Sequence, residues 1–420
     1  MTSLLTDLSC ADDYDPESLG VARARQIILD LLAPIDGSER LPVRDALGRV
    51  LAEDVISTMN VPGHDNAAMD GYAVRHSDLA AEGETMLKVA GTAFAGRGFT
   101  GAVAPGECVR IMTGGVIPAG TDTVVIQEIV TADGECVRIP PKQRPGQHVR
   151  HAGEDLRDGT PALRAGKQVR PAELGLIASL GIAEVMVKRR LRVAFFSTGD
   201  ELCSIGTPLS EGEVYDSNRY TLFGMLTRLG CEVVDLGVVR DRPEAIEAAF
   251  REAAARADAI ITSGGVSVGE ADFIRGLMTQ LGEVAFWKIA MRPGRPMAFG
   301  KIGDAWLFGL PGNPVAVMVT FYQFVREALQ KLMGTAPTEP LPQFRVPCVT
   351  PLKKRSGRSE FQRGVLFQEG GEWKVRATGA QGSGILSSMA EANCFIVIEP
   401  ERGNVEPGEA VLVQAMEGLA

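Results

Sequence analysis

Seven cysteines and four histidines are few for a chain of 420 residues, and neither set has the spacing of a metal site. The cysteines are scattered, never form a CxxC pair, and are odd in number. This excludes a zinc–thiolate site, and isolated thiols are typical of proteins of the reducing cytoplasm. Any metal that takes part would have to be a hard cation with oxygen ligands.

Long apolar runs and an excess of basic charge are also missing. No stretch approaches the roughly 20 apolar residues of a membrane span, and the first twenty residues lack the basic and apolar segments of a signal peptide. Fifty-three acidic against 43 basic residues give a net charge of −10, which argues against a nucleic-acid partner. We therefore expect a cytoplasmic protein with no membrane or nucleic-acid partner, in which a local basic pocket holds any anionic substrate.

The residue pattern changes from helical to strand-like and back along the chain. A length of 420 residues favours two to four domains. Residues 1–57 and 150–190 indicate a discontinuous, partly helical domain, with helices in ARQIILDLLAPI, VRDALGRVLAEDV and PAELGLIASLGI. Residues 58–149 between them carry short strands separated by glycine and proline, as in a β-rich insertion. Residues 341–420 return to strands, which predicts a small β barrel or sandwich.

Residues 191–340 alternate strand and helix regularly, which predicts a doubly wound α/β domain with a parallel sheet. Ligands of such domains bind at the carboxyl ends of the strands. The expected helix signals are a cap at Asp216 or Ser217 with a stop at Gly230, a capping-box spacing of Asp241 and Glu244, and a last helix through NPVAVMVTFYQFVREALQKLM that Asn313 caps and Pro314 begins.

Acidic and glycine-rich segments follow the predicted strands. Backbone amides of such glycine-rich loops attract phosphate, whereas carboxylates repel it unless a cation lies between them. Because parallel strands end at one edge of a sheet, these segments should meet there and bind Mg²⁺ against a substrate phosphate. The candidate metal ligands are Glu201, Asp241 and Asp272; the candidate binding residues are Ser263, Gly264, Gly265, Ser267, Pro311, Gly312, Asn313 and Pro314.

Each of these features also has a plain structural explanation. Asp241 alone is at least as well explained as a helix cap, and Glu201 as a solvated loop acid. Gly264 and Gly265 are compatible with a simple tight turn, and a Walker-type phosphate loop is absent. The functional interpretation depends on the convergence of several such features at one sheet edge.

Basic and polar groups outside the strand ends are weaker candidates. Lys288, Arg292 and Arg295 stand among prolines and glycines in WKIAMRPGRPMAFG, unlike an ordinary solvated basic helix. Asp70 in DNAAMDGYAVR and Thr113 in RIMTGGVIPAG fit plain turn chemistry as well as an anion-holding loop. Arg363 and Ser383, among the glycines of the last region, are singled out by no spacing rule.

Taken in order, these segments resemble the signatures of a known family. DNAAMDGYAVR, RIMTGGVIPAGTDTVV, FSTGDEL, YDSNR, SGGVSVGEADF, RPGRPMAFG, LPGNPVA and FQRG are similar to those of the molybdopterin molybdenumtransferases, the MoeA family, to which the E domain of gephyrin also belongs. The resemblance runs from about residue 18 to the end. It implies an elongated, partly helical domain, a β-rich inserted domain, a MogA-like α/β domain and a C-terminal β-barrel-like domain.

The resemblance also implies a reaction and an assembly. Molybdate would enter the dithiolene of adenylylated molybdopterin, with Mg²⁺-dependent release of AMP, in molybdenum cofactor biosynthesis. The enzyme would be a homodimer whose cleft joins the β-rich domain of one subunit to the α/β and C-terminal domains of the other. A separate MogA-type adenylyltransferase would supply the substrate, and molybdoenzymes would accept the product. Two alternatives stay open, an adenylyltransferase on the same α/β domain and a dimeric scaffold of the gephyrin type.

The family's site residues are carried over one by one. Expected to be catalytic are Asp70, Glu201, Asp241, Asp272 and Lys288, with Asp70 acting from the partner subunit. Arg292, Arg363 and Ser383 would hold molybdate together with Lys288. The remaining residues that the resemblance assigns to substrate binding are Thr113, Asp155, Pro311 and Pro314. The chain departs from many relatives at Arg292 and Arg295, where they carry lysine, and at Ala316, where they carry serine.

Overall fold

The computed structural model describes residues 18–265, 272–338 and 340–416, without the side chains of residues 272–275. The helices are α1 (Val21–Leu31), α2 (Pro171–Ser179), α3 (Ser217–Arg228), α4 (Pro243–Arg256), α5 (Asp272–Leu281), α6 (Pro314–Thr320), α7 (Arg326–Leu332) and α8 (Leu386–Glu391). The first fifteen strands are β1 (Ser38–Pro42), β2 (Val55–Ile56), β3 (Asn66–Ala67), β4 (Gly71–Val74), β5 (Thr85–Ala93), β6 (Glu107–Ile111), β7 (Thr123–Ile126), β8 (Thr131–Asp133), β9 (Cys136–Ile139), β10 (Val149–Arg150), β11 (Pro161–Leu163), β12 (Glu184–Lys188), β13 (Arg192–Thr198), β14 (Leu202–Cys203) and β15 (Val214–Tyr215). The others are β16 (Glu232–Val239), β17 (Ala259–Ser263), β18 (Gly282–Lys288), β19 (Met291–Arg292), β20 (Pro296–Ile302), β21 (Ala305–Leu310), β22 (Gln343–Pro347), β23 (Ser359–Glu369), β24 (Glu372–Ala377), β25 (Cys394–Ile398) and β26 (Ala410–Ala415).

The N-terminal part of the chain pairs across a long insertion. Strand β1 pairs with β12, and β2 with β11, all antiparallel. The intervening chain forms a separate six-stranded sheet in the order β7-β4-β6-β5-β9-β8. Strands on either side of the insertion are therefore hydrogen-bonded neighbours, which fits a discontinuous domain interrupted by a β-rich one.

One of the predicted helices of this part is wrong. The segment VRDALGRVLAEDV forms only a 3-10 turn at Val43–Ala46 and then the short strand β2. Gly48 has φ +76°, a left-handed conformation that ends a helical path. The other two predicted helices are present as α1 and α2.

The central sheet has the order β16-β13-β17-β21-β20-β18. Its first four strands are parallel, but β20 runs antiparallel to β21, and β18 antiparallel to β20. The predicted parallel sheet is thus a mixed one. Both faces are buried, because Phe195 packs in one apolar cluster and the adjacent Phe196 in another, as expected of a doubly wound sheet.

One detail of the predicted helix ends is wrong. Helix α4 begins after Arg242, without a side-chain cap, so Asp241 and Glu244 form no capping box. The last predicted helix is present from Pro314 to Leu332, with a π-helical turn at Phe321–Val325 between α6 and α7. By contrast, the Asp216 carboxylate accepts a hydrogen bond from the Arg219 amide and caps α3 as expected.

The C-terminal strands close into a small barrel. The sheet follows the order β19-β23-β25-β26-β22, with β24 paired to β23. A bridge between Cys348, just after β22, and Val375 of β24 closes the ring β23-β25-β26-β22-β24. The first strand of the order, β19, belongs to the α/β segment and pairs in parallel with the start of β23, so the barrel is tied directly to the central domain.

Candidate active site

The parallel strands of the central sheet end at one edge, as their sequence predicted. Thr198 at the end of β13 is in register with Val239 of β16, and Ser197 with Ser263 of β17. Ser263 is in turn in register with Leu310, the last residue of β21. The loops that follow these strands therefore begin side by side.

The turn after β17 requires glycine. Gly264 has φ +95°, and a Cβ there would lie 2.7 Å from the carbonyl oxygen of Thr198. Its amide donates to the Leu310 carbonyl at 3.1 Å, which holds the turn against the next strand end. Gly265 follows with φ +71°. These glycines let two strand-end loops approach more closely than residues with side chains would allow.

Asn218 in the first turn of α3 holds the same two loops together. Its Nδ2 donates to Ser263 Oγ at 2.8 Å and to the Gly312 carbonyl at 2.6 Å. Ser263 is buried, with 2% of its surface exposed, and its hydroxyl is used by this contact. Sequence reasoning missed Asn218, although YDSNR was among the recognised segments, because the motif was interpreted only as a helix start.

A cavity of about 680 Å³ opens at this edge. The α/β domain supplies most of its wall, and the barrel supplies Gln381 and Ser383. The candidate residues that line it are Glu201, Arg292, Pro311, Gly312, Asn313, Pro314 and Ser383, together with the basic Arg295. Residues that were not predicted include Tyr215, Asp216, Ser217, Asn218 and Gln381.

The barrel wall is fixed by contacts with α6. The Val315 amide donates to the Ser383 carbonyl at 3.1 Å, so this amide of the first turn holds the barrel loop in place. Asn313 occupies the N-cap position without a side-chain hydrogen bond, and Pro314 takes the first helical position as predicted. The start of α6 thus positions Ser383 at the cavity.

A second cavity of about 420 Å³ adjoins the first and shares Arg292, Pro293 and Gln381 with it. Arg363 lies in its wall with 1% of its surface exposed. The guanidinium donates to Ser388 Oγ at 2.9 Å and to the backbone carbonyls of Gly382 at 2.9 Å, Gln381 at 3.2 Å and Ala380 at 3.3 Å. These bonds shape the loop that carries Ser383.

The charge of Arg363 is unbalanced. Its hydrogen-bond partners are all neutral, and no carboxylate of the described residues lies within ion-pair distance of it. Burial, together with a smaller effect of the nearby Arg292 charge, lowers the pKa of Arg363 to about 10. Arg292 itself is exposed and lies 3.8 Å from Glu360. A buried cation beside a second cation needs an anion.

The acidic candidates at the sheet edge lie on adjacent strand ends. Glu201 is exposed in the first cavity and packs on Gly199, where a Cβ would lie 2.6 Å from Glu201 Oε2. The Asp241 amide donates to Asp200 Oδ1 at 3.3 Å, which ties the loops after β16 and β13 together. Asp241 does not line the cavity.

The third predicted metal ligand is not tested by the structure. Asp272 begins α5, but its side chain lies outside the described part, and Ser267 lies outside the described residues altogether. Among the described residues no group of three or more histidine, cysteine, aspartate or glutamate side chains forms a metal site. The oxygen donors Glu201 and Asp241 are chemically suited to Mg²⁺.

Asp70 and Thr113 form a pair of their own in the β-rich sheet. Asp70 Oδ1 accepts from both the amide and the hydroxyl of Thr113, each at 2.7 Å. These bonds, the amide first, and the charge of Arg110 lower the pKa of Asp70. The carboxylate is therefore ionised at neutral pH.

Neither this pair nor two other candidates line the first cavity. Asp155 is exposed in the return segment, where its amide donates to the Val61 carbonyl. Lys288 ends β18, in register with the cavity-lining Pro296. The structure therefore brings Glu201, Arg292, the Pro311–Pro314 loop and Ser383 together in one cavity. Arg363 lies in the adjoining one, and Asp241, Lys288, Asp70, Thr113 and Asp155 line neither.

The fold and the site are those of a MogA-like α/β domain whose strand-end cavity is completed by a small barrel. Comparisons with known proteins identify the family. Residues 19–181 match the model "MoeA N-terminal region (domain I and II)", residues 194–331 the "Probable molybdopterin binding domain", and residues 345–416 the "MoeA C-terminal region (domain IV)". The chain belongs to the MoeA family of molybdopterin molybdenumtransferases.

Individual relatives extend over nearly the whole chain. It is 46% identical to the molybdopterin molybdenumtransferase of Haemophilus influenzae, over 96% of this chain and 99% of that one. It is 36% identical to the molybdopterin molybdenumtransferase of a Nostoc species, over 92% of this chain and 91% of that protein. The crystal structure of the molybdopterin biosynthesis moeA protein from Pyrococcus horikoshii superimposes with a TM-score of 0.81 at 29% identity, over 95% of this chain and all of that one.

These matches confirm the predicted family, the fold class and the assignment to an enzyme, a transferase of molybdenum cofactor biosynthesis. They do not favour the adenylyltransferase or the scaffold, because the relatives are named as molybdenumtransferases. No described helix is both long and apolar enough to cross a bilayer.

Proposed function

We propose that the protein inserts molybdate into adenylylated molybdopterin and releases AMP. The observation that carries this proposal is the buried, unbalanced cation of Arg363 beside a cavity lined by strand-end loops. A small oxyanion bound near Arg363 and Arg292 would offset both charges. The adjoining cavity of about 680 Å³ has the size of a pocket for a larger organic substrate.

The residues around the anion divide into two roles. Arg363 already donates to four neutral acceptors of the barrel loop, so it would act mainly by its charge and by shaping that loop. Arg292 and Ser383 line the cavity and retain exposed surface. They would contact molybdate directly, with Lys288 close by at the end of β18. The arginine at 292 would give the oxyanion a forked grip where many relatives offer a lysine.

Mg²⁺ would be held by Glu201 and Asp241, with Asp272 as the third ligand. The ion would neutralise the charge that develops on the phosphates as AMP leaves. The glycines at 264 and 265 and the Pro311–Pro314 loop would position the phosphate-bearing part of the substrate at the strand ends.

The β-rich domain, with the return segment that carries Asp155, would act on a partner subunit. Asp70, Thr113 and Asp155 lie outside the cavity of their own chain, so we propose a homodimer in which they complete the site of the other subunit. Asp70, ionised and held by Thr113, would orient the substrate or a water. We further propose a cytoplasmic location, substrate supply by a separate MogA-type adenylyltransferase, and delivery of the product to molybdoenzymes.

The decisive experiment measures AMP release by the purified protein supplied with adenylylated molybdopterin, Mg²⁺ and molybdate. AMP should appear only when all three are present, with active molybdenum cofactor as the second product. Glu201→Gln should lower the rate by about 100-fold, because a metal-binding carboxylate is lost. Glu211→Gln removes an exposed acid from the segment between β14 and β15, which does not line the cavity at that residue. It is the matched control and should leave the rate unchanged. Release of AMP that does not depend on molybdate would reject the proposed function.

A further inference from the structure

The side chain of Gln381 is bonded to the backbone of Arg363. Its Oε1 accepts from the Arg363 amide at 2.8 Å, and its Nε2 donates to the Arg363 carbonyl at 3.2 Å. The last residue pair of the ladder between β23 and β24 is Gly364 with Ala377. The side-chain amide therefore pairs with β23 just beyond that ladder. An amide N–H only donates and a carbonyl only accepts, which fixes the orientation of the Gln381 side chain.

Arg363 returns these bonds. Its guanidinium donates to the backbone carbonyls of Gln381 at 3.2 Å and Gly382 at 2.9 Å, so each of the two residues bonds the backbone of the other. Nε2 of Gln381 also donates to the Gly379 carbonyl at 3.4 Å. Both polar atoms of this side chain have partners within the chain, and its contribution to the site is therefore to hold other groups in place.

The group that Gln381 holds is the segment that carries Ser383. On one side of Ser383 the segment is fixed to β23 through the Gln381 side chain. On the other side the Ser383 carbonyl accepts from the Val315 amide of α6 at 3.1 Å. Gly382 and Gly384 flank the serine, and glycine restricts the backbone least of all residues. The position of the Ser383 hydroxyl therefore depends on these two anchors.

Gln381 lies where the two cavities meet. It lines both of them, together with Arg292 and Pro293. Arg363 lies in the wall of the smaller cavity and Ser383 in the wall of the larger one. A small anion that contacts both Arg292 and the Ser383 hydroxyl would lie at this junction. Such a contact requires the hydroxyl to be placed to within a fraction of an ångström, because hydrogen bonds weaken steeply with geometry.

We propose that Gln381 is a positioning residue of the oxyanion site, which sets the affinity for molybdate by holding the Ser383 hydroxyl at the junction of the two cavities. That the anion is molybdate rests on the proposed function. Without the Gln381 side chain, the segment would keep its anchor at Val315 but lose the one to β23. The serine would then be free to move away from the anion.

The test is the binding of sodium molybdate alone to the full chain, measured by calorimetry. Gln381→Met keeps an unbranched side chain of similar length and removes both hydrogen bonds to Arg363. It should raise the Kd about tenfold with an unchanged stoichiometry. Gln368→Met is the matched control, because Gln368 is an exposed glutamine of the same strand β23 and lines neither cavity. It should leave the Kd unchanged.

The stoichiometry separates positioning from a merely structural role. A variant that only folds poorly contains fewer binding sites of unchanged affinity, and that result for Gln381→Met would overturn the inference. An unchanged Kd and stoichiometry, or no binding of molybdate by the unmutated protein, would also overturn it.

A second measurement asks whether Gln381 acts through Ser383. In a Ser383→Ala protein, which has no hydroxyl to position, Gln381→Met should raise the Kd by less than about twofold, because the two effects are coupled. A further tenfold rise in that protein would contradict the inference. Because no turnover is measured, failure here is distinct from failure of the AMP-release assay.

Discussion

The barrel side of the cavity and the Asp70–Thr113 pair hold their charges in opposite ways. Arg363 is a buried cation whose hydrogen-bond partners are all neutral, and burial lowers its pKa to about 10. Asp70 is an accessible anion that two hydrogen bonds from Thr113 already stabilise. The first group lacks a countercharge until a ligand arrives. The second is already stabilised, but it does not line either of the two cavities described above.

This difference separates the tasks of the two regions. An unbalanced buried charge is suited to binding, because the ligand supplies what the fold leaves out. A preformed, ionised carboxylate is suited to acting on something that another surface holds in place. Substitutions that remove the charge of Arg363, or one of the hydrogen bonds to Asp70, test this division of tasks.

The largest effect is expected for Arg363→Met, which keeps an unbranched side chain but removes the charge and the donors. AMP release should fall by about 100-fold or more, because the anion loses a buried countercharge. Stability should fall by about 1–3 kcal/mol, because buried acceptors of the 380–388 loop lose their partner. Arg376→Met, which breaks only an exposed pair with Glu391, should change neither quantity by a comparable amount. An active Arg363→Met enzyme would remove the distinction between the two regions.

A mixture of mutant subunits tests whether the two regions act across a dimer. Asp70→Asn and Arg363→Met proteins, each inactive alone, should regain activity when they are unfolded and refolded together. A mixed dimer then has one site with both native residues and one with neither. With random pairing the recovered rate should be about a quarter of the unmutated rate. If activity is recovered neither in the mixture nor in a tagged, purified mixed dimer, both residues belong to the site of one chain.

The smallest effect is expected for Thr113→Val, which removes the hydroxyl bond to Asp70 and keeps the amide bond. The pKa of Asp70 should rise but stay below its ordinary value of 3.8, as a titration by NMR of labelled aspartate would measure. A depressed carboxyl pKa stabilises the fold above that ordinary value and ceases to do so as the pH falls through the folded value. Thr131→Val on the exposed strand β8 is the control. A complete return to 3.8 would show that the amide contributes nothing.

Much of the site was predictable because strand direction can be inferred from sequence. The loops after β13, β16, β17 and β21 had to meet once the strands were parallel, so the meeting of Glu201 with the Pro311–Pro314 loop in one cavity followed. The antiparallel β18 and β20 were not foreseen, because apolar alternation does not encode direction. The helix expected around Gly48 failed for a local reason, since its apolar periodicity gave no sign of the positive φ at that glycine.

Other features lie beyond sequence reasoning because they are properties of burial. The segment GAQGSGIL was visible as a glycine-rich turn, but the bonds from the Gln381 side chain to the Arg363 backbone exist only once the barrel encloses that residue. Arg363 resembles an ordinary turn residue in the sequence, and only its enclosure in the barrel makes its charge significant. The family resemblance supplied that residue where spacing did not.

The pairing of β19 with β23 has a mechanical consequence. Lys288 ends a ladder of the central sheet, and after two residues Met291 and Arg292 enter a ladder of the barrel. The Ser359 amide also donates to the Ala290 carbonyl at 3.0 Å, which leaves almost no slack between the sheets. A hinge that opened the cavity between these domains would have to break those bonds. The central domain and the barrel therefore form one rigid wall of the cavity. Access of the substrate should depend on what covers the open side of the cavity.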